Sequence, residues 1–218
     1  MYTAQERGWI RLHPFIGFDC LPEYKRRSFL TEEDLQSVIH VKLNYKRQRA
    51  IRDMFLFMCF TGLAYADLKE ITYKNIHTDS EGGTWLMGNR IKTGVAYVVK
   101  LLPIAIELVE RYRGDNEKKS SPDKVFPVGE YQTMASSLRV LTRKCGCSTE
   151  ITPHIGRHTF AVLAILKGMP LETLQKVLGH KSILSTQIYA ELINPKVGED
   201  TDRLCMKIGD TYLSLIHI

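Results

Sequence analysis

Two side chains three residues apart, His154 and Arg157, have the chemistry of a phosphate site. They follow Thr152-Pro153, which predicts a helix start, since Thr caps a helix and Pro fits its first position. Backbone N–H groups there favour an anion, an arginine fork grips two oxygens, and a histidine donates a bond or moves a proton. The pair also fits a surface arginine and a hydrogen-bonded histidine without function. The neighbouring His158 is as suited to packing as to catalysis.

The elements that must hold this segment are mostly helices. Thr31-x-x-Asp34 is a capping-box variant before apolar residues at helical spacing, so it predicts a helix of about three turns. Other helices are predicted from apolar residues at helical spacing, with Pro at some N-terminal ends and Gly after some C-terminal ends. They are Met54–Phe60, Pro103–Arg113, Tyr131–Cys145, a helix from Pro153 toward Gly168, and Leu171–Leu178. Three short runs of residues with strand-like character predict strands at Trp85–Met87, Arg90–Lys92 and Tyr97–Val99. The expected fold is mainly α with a small antiparallel β-sheet, an α+β class.

Length and composition exclude some classes of protein. The 218 residues fit one large domain with a fragment of another. With 44% hydrophobic and 25% charged residues, the chain is neither collagen-like nor disordered. The formal net charge of +6 permits a polyanionic partner without requiring one. Residues 42–52 hold five basic residues and no acid, which fits either a solvated helix face or a polyanion contact.

The cysteines and the hydropathy of the chain indicate the cellular compartment in which the protein is expected. Five widely spread cysteines suit a reducing environment better than a disulfide framework. Cys145-Gly-Cys147 has no second pair to complete a zinc site, so we expect neither a metal nor a cofactor. The longest apolar run is about half of the ~20 residues that span a bilayer, and the N-terminus lacks a signal-peptide layout. We expect a cytoplasmic protein without membrane contact.

A second group of candidate site residues lies C-terminal to His154 and Arg157. Leu178-Gly179-His180 comes after Arg157, and Tyr189 stands nine residues beyond His180. With the run 152–161, they resemble the tyrosine recombinase (phage-type integrase) family, whose signature is H-x-x-R, then L-G-H, then Y. Upstream, residues 61–71 match the family's first box, and Lys92 stands where the family has a hairpin lysine. The resemblance covers about residues 29–190 and is closest to mobile-element integrases of the conjugative-transposon type.

The resemblance implies a mechanism and its residues. Tyr189 would attack a DNA phosphate, forming a 3′-phosphotyrosine and releasing a 5′-hydroxyl. Because the tyrosine must lose its proton, His154 would accept or relay it, while Lys92 would protonate the leaving oxygen. Arg157 would bind nonbridging oxygens, with a further hydrogen bond from His180. One ester replaces another, so neither ATP nor a metal is required.

One position departs from the family pattern. The first box normally carries an arginine after Thr-Gly-Leu, and here Ala64 stands in its place. Loss of one donor to the transition-state oxygens costs on the order of 10²–10³ in rate, so another group must replace it. Arg52 is the first surrogate candidate, with Arg49 and Arg90 behind it. Contact with solvent or with the DNA backbone explains Arg52 equally well.

The family's organisation implies three segments and a nucleic-acid partner. Residues 1–22 would be the tail of a core-binding domain with a linker, 23–194 the catalytic domain, and 195–218 a tail that docks on a neighbouring subunit. The expected partner is double-stranded DNA, with a homotetramer on DNA, a monomer in isolation, and no small-molecule substrate. Two alternatives stay open. One is a type IB topoisomerase, and the other, motivated by Ala64, is a non-catalytic DNA-binding remnant.

Overall fold

The computed structural model describes residues 2–11, 28–113 and 123–191. These ranges form a mainly helical fold with one small antiparallel sheet, as the sequence predicts. The elements in chain order are α1 (Tyr2–Glu6), α2 (Glu32–His40), α3 (Lys46–Thr61), α4 (Tyr65–Glu70), β1 (Ile76–Thr78), β2 (Thr84–Asn89), β3 (Ala96–Lys100), α5 (Pro103–Arg113), α6 (Tyr131–Cys145), α7 (Pro153–Leu166), α8 (Leu171–Leu178) and α9 (Leu184–Glu191). The predicted linker beyond residue 11, residues 114–122 and the C-terminal tail lie outside the described residues.

The predicted helix boundaries are confirmed where local chemistry defines them. Thr31 Oγ1 accepts a hydrogen bond from the Asp34 amide at 3.1 Å and caps α2. Helix α7 begins at Pro153, although the Thr152 side chain makes no capping bond. Proline alone therefore fixes this start, because its φ suits the first helical turn and its missing N–H would have had no helical partner.

The sheet differs from the prediction at two places. Its order is β1-β2-β3, and both pairs are antiparallel. The prediction of a strand at Arg90–Lys92 is wrong, because these residues form the turn between β2 and β3. The Arg90 amide donates a hydrogen bond to Val95 O at 2.8 Å, and the Gly94 amide donates one to Arg90 O at 2.8 Å. These two bonds close the hairpin. The three-residue β1 carries too short a pattern to be predicted.

The core surrounds α3. Its Phe55, Phe57 and Met58 side chains are fully buried, because α5, α6 and α7 pack around the helix. A second apolar cluster joins α7, α8 and α9 and includes Leu178 and Tyr189. The site segments predicted from the sequence therefore lie on helices that pack against one another.

Two features are absent from the described ranges. No helix there has both the length and the apolar character to cross a bilayer. No group of three or more His, Cys, Asp or Glu residues there is arranged to hold a metal ion. The cysteines of these ranges, Cys59, Cys145 and Cys147, are free thiols.

Candidate active site

Arg157 connects three parts of the fold. It lies in α7 with only 8% of its surface exposed. Its Nη1 donates to Gly62 O at 2.7 Å, and its Nη2 donates to Leu178 O at 2.9 Å. These carbonyls lie at the C-terminal ends of α3 and α8, where helices leave acceptors without a partner in the helix. The guanidinium is therefore fixed in position where α3, α7 and α8 meet.

His180 completes this arrangement. Its Nε2 lies 2.8 Å from Arg157 Nη2, and its Nδ1 lies 2.9 Å from Thr186 Oγ1. A guanidinium only donates, so Nε2 accepts, and in a neutral ring the proton then sits on Nδ1 and is donated to Thr186. Thr186 is fully buried. The hydroxyl of Thr186 thus sets the tautomer and the orientation of His180.

Tyr189 lies in α9 with its hydroxyl inside the site. Only 1% of its surface is exposed. The hydroxyl oxygen lies 2.9 Å from His158 Nδ1, and the two rings are 5.6 Å apart between centroids. The same hydroxyl faces the Arg157 guanidinium. A potential nucleophile, a base and a phosphate-binding cation therefore converge on one oxygen atom.

Arg90 enters the same site from the β2–β3 hairpin. It is 8% exposed and pairs with the buried carboxylate of Asp67. Asp67 Oδ1 also accepts from the Ile91 amide at 2.9 Å, so this carboxylate fixes both the hairpin and its arginine. The Arg90 guanidinium is held by this buried ion pair with Asp67, which keeps a second cation close to Arg157.

The two guanidiniums affect each other. Burial and, to a smaller extent, the nearby charge of Arg90 lower the pKa of Arg157 to about 10, against the opposing effects of Tyr189 and Asp67. Burial likewise lowers the pKa of Arg90, against the opposing effect of Asp67. Both remain cations at neutral pH. Two desolvated positive charges side by side favour binding of a negative group between them.

Lys92 and His154 lie at the rim. Lys92 is exposed in the hairpin turn, and His154 is exposed in the first turn of α7. The His154 ring faces Tyr131 at 6.3 Å between centroids. Within the described ranges, neither residue has a hydrogen bond or ion pair with the Tyr189 group. The structure therefore brings together Arg157, His180 and Tyr189 of the predicted set, and leaves Lys92 and His154 outside that cluster.

Arg52 lies in α3, outside the cluster of Arg157, His180 and Tyr189. Its Nε and Nη2 donate to Asp53 Oδ1 at 3.0 and 2.9 Å, and its Nη1 donates to Val41 O at 3.3 Å. Ten residues of α3 separate it from Gly62, which is about 15 Å along the helix axis. The predicted surrogate is thus engaged in a structural ion pair. Arg90, a lower-ranked candidate, is the arginine that faces Arg157.

Sequence reasoning gave no function to Thr186 and left His158 undecided. His158 follows Arg157 directly, which puts it about 100° around the helix and outside the three- and four-residue spacing that marks a shared face. Thr186 lies within a run of small polar residues that has no distinctive pattern. His158 is identified by the packing of α9 against α7, and Thr186 by the packing of α9 beside the C-terminal end of α8.

The comparisons with known proteins agree with this geometry. Residues 28–194 match the model of the phage integrase family. Tyrosine recombinase XerA of Saccharolobus solfataricus is 31% identical over 175 residues, which cover 79% of this chain and 56% of that protein. Tyrosine recombinase XerD of Halalkalibacterium halodurans is 31% identical over 147 residues, or 63% of this chain and 48% of that protein. The chain thus spans about half the length of these curated relatives.

Solved structures share the fold. A crystal structure of XerA recombinase matches with a TM-score of 0.65 and 21% identity, over 80% of this chain and 66% of that one. The Tn1549 transposon integrase in complex with transposon right end DNA matches with a TM-score of 0.61 and 19% identity, over 86% and 70%. The family match covers most of the chain, and the fold agrees with it. The chain belongs to the phage integrase family.

Proposed function

We propose that this chain is the catalytic domain of a site-specific DNA recombinase, which cleaves and rejoins strands through Tyr189. The convergence of the Tyr189 hydroxyl with Arg157 and His158 carries the proposal. A phosphodiester resists attack because of its charge, and two buried guanidiniums beside a nucleophile reduce that charge. The family relationship supports the same chemistry.

The reaction exchanges one phosphate ester for another. Tyr189 Oη bonds to the scissile phosphorus as the bond to the 5′-oxygen breaks, and the phenol proton goes to a base. The leaving oxygen takes a proton from Lys92, which the hairpin turn presents at the rim. Arg157 holds nonbridging oxygens, with His180 beside it. His154, exposed in the first turn of α7, contacts the DNA near this phosphate.

Arg90 takes the place of the missing first-box arginine. Ala64 has no charge to offer, whereas Arg90 supplies a second guanidinium next to Arg157. Asp67 fixes its position through a buried ion pair. The non-catalytic alternative rested on the missing arginine at Ala64, and the cation that the β2–β3 turn brings to the site counts against it.

DNA is the partner that this chemistry requires. The relatives support it, since a XerH recombinase has been solved with its difH substrate and a lambda integrase as a dimer on a core site. We further propose that residues 23–194 act in the cytoplasm within a homotetramer on DNA. Residues 1–22 would lead from a core-binding domain, and 195–218 would dock on a neighbouring subunit. Integration or excision of a mobile element is the process to which this activity belongs.

Covalent capture tests the proposal without a known target. A pool of randomised, nicked duplexes is incubated with the protein, and DNA that stays bound in detergent is isolated and sequenced. We expect an adduct, with the DNA attached to the peptide that contains Tyr189 by mass spectrometry. Tyr189→Phe should bind the selected duplex and give no adduct. An equal adduct from Tyr189→Phe, or no adduct from wild type, would refute the proposal.

A further inference from the structure

We propose that His158 is the general base that takes the proton from Tyr189 during cleavage and returns it during rejoining. The inference rests on the proposed cleavage through Tyr189. Its basis is the 2.9 Å contact between His158 Nδ1 and the Tyr189 hydroxyl. A general base must lie within hydrogen-bond reach of the proton it removes, and this distance satisfies that requirement.

The other candidates near the hydroxyl are less suited to accept a proton. Arg157 is a donor only. The Nε2 atom of His180 accepts from Arg157, and its Nδ1 donates to Thr186. His154 is exposed and faces Tyr131. Because Arg157 can only donate to the Tyr189 hydroxyl, the hydroxyl proton is directed to His158 Nδ1 in the tautomer that carries its ring proton on Nε2.

The proton balance is complete for both half-reactions. In cleavage the Oη–H bond breaks, His158 Nδ1 gains the proton and becomes imidazolium, and the Oη–P bond forms as the P–O5′ bond breaks and the leaving O5′ takes a proton from Lys92. In rejoining, the 5′-hydroxyl gives its proton to the neutral Lys92 amine as it attacks phosphorus, and the imidazolium returns its proton to the departing Tyr189 oxygen. His158 thus enters cleavage as a neutral imidazole and is regenerated in that form after rejoining.

The surroundings connect this proton transfer to DNA binding. An imidazolium beside Arg157 would add a third positive charge to a site that already holds two buried guanidiniums. Like charges at such distances disfavour protonation. A phosphate between the arginines offsets this repulsion. Proton transfer to His158 is therefore favoured when DNA fills the site.

The decisive variant is His158→Asn, because an asparagine oxygen can accept a hydrogen bond near the Nδ1 position but cannot take the proton. We expect cleavage of the captured duplex at pH 7.5 to fall about 10²–10⁴-fold, with DNA affinity within about twofold. The deficit should shrink as the pH rises toward 10, because hydroxide then ionises the phenol directly. His40→Gln, on the exposed end of α2, is the matched control and should cleave like wild type.

A modified substrate separates the base from the acid. A duplex with sulfur at the 5′-bridging position has a leaving group that needs no proton. It should restore cleavage by Lys92→Ala and leave His158→Asn slow. If His158→Asn fails to fold, as judged by its thermal midpoint, His158→Gln takes its place in both assays.

The outcomes distinguish the two proposals. Cleavage by His158→Asn within about threefold of wild type, or a deficit that is constant across pH, would overturn the role of His158 and leave Tyr189 as the nucleophile. Rescue of His158→Asn by the sulfur substrate would also overturn it, since that result assigns His158 to the leaving group. Absence of any wild-type adduct would instead refute the proposed function.

Discussion

The aliphatic part of Arg90 lies directly over Gly179, so closely that a Cβ atom on Gly179 would come within 2.8 Å of Arg90 Cγ. Gly179 also has φ +61°, the left-handed conformation that ends α8. The glycine of the Leu-Gly-His sequence thus makes room for a cation from another part of the chain. Sequence and packing together explain why a side chain is absent there.

Gly179→Ala should therefore move Arg90 and slow cleavage by about tenfold or more. The matched control is Gly146→Ala at the end of α6, where φ is +66° and nothing lies within 4 Å of the new Cβ. Both substitutions carry a similar backbone strain of about 1–2 kcal/mol. Thermal midpoints and single-turnover cleavage rates separate the effects. Equal losses of cleavage in both variants would contradict a role for the space over Gly179.

Arg90→Lys and Arg52→Ala should have opposite profiles. Lysine keeps the charge of Arg90 but not its planar fork, so cleavage should fall about 10²-fold while DNA binding changes little. Arg52→Ala removes the donor to buried Asp53 Oδ1, while Arg111 and Tyr112 still donate to Oδ2. It should lower stability by about 1–3 kcal/mol with cleavage preserved in the folded fraction. Denaturant unfolding and covalent-adduct rates measure the two effects. A cleavage defect confined to the Arg52 variant would return the surrogate role to Arg52.

Thr186→Val tests the hydroxyl that orients His180. Valine fills the same volume but leaves His180 Nδ1 without its partner, so cleavage should fall about fivefold, the effect of about 1 kcal/mol. The ¹⁵N shifts of the His180 ring should show a changed tautomer balance. Thr173→Val, at an exposed position of α8, is the control and should change neither the cleavage rate nor the ¹⁵N shifts of the His180 ring. Unchanged ring shifts in Thr186→Val would show that His180 is held by other contacts.

Alkaline stability depends on Tyr97 in β3. Burial and, to a smaller extent, the charge of Asp67 raise its pKa to about 12, against about 10 in an unfolded chain. The neutral hydroxyl therefore contributes stability that is complete below pH 10 and is lost as the pH rises to 12. Tyr97→Phe should make the free energy of unfolding fall less steeply in this range. Tyr45→Phe, which removes an exposed hydroxyl, should follow wild type; equal slopes for all three proteins would refute the prediction.

The sequence predicted the helices best where a single residue defines an end. Pro153 and Gly179 fix φ values locally, and the ends of α7 and α8 follow from them. The hairpin was harder, because Arg90 and Lys92 alternate like a strand but form a turn whose bonds run to Val95 and Gly94. Such cross-hairpin bonds leave no local pattern.

The site was predicted in part for a similar reason. Arg157, His180 and Tyr189 stand at characteristic spacings, and the structure brings them together. The surrogate arginine could not be placed, because its position depends on how the hairpin packs against α8. His158 gains its meaning only through contact with a residue 31 positions away.

The bonds of Arg157 determine how freely this site can change over time. Arg157 holds Gly62 O and Leu178 O, so its loss would alter both the chemistry and the junction of three helices. Position 64 only precedes α4 as its N-cap residue, and Ala64 makes no side-chain capping bond there. An arginine at position 64 can therefore be lost when a hairpin turn supplies another cation, whereas loss of the arginine at position 157 would also disrupt the packing of the three helices around it.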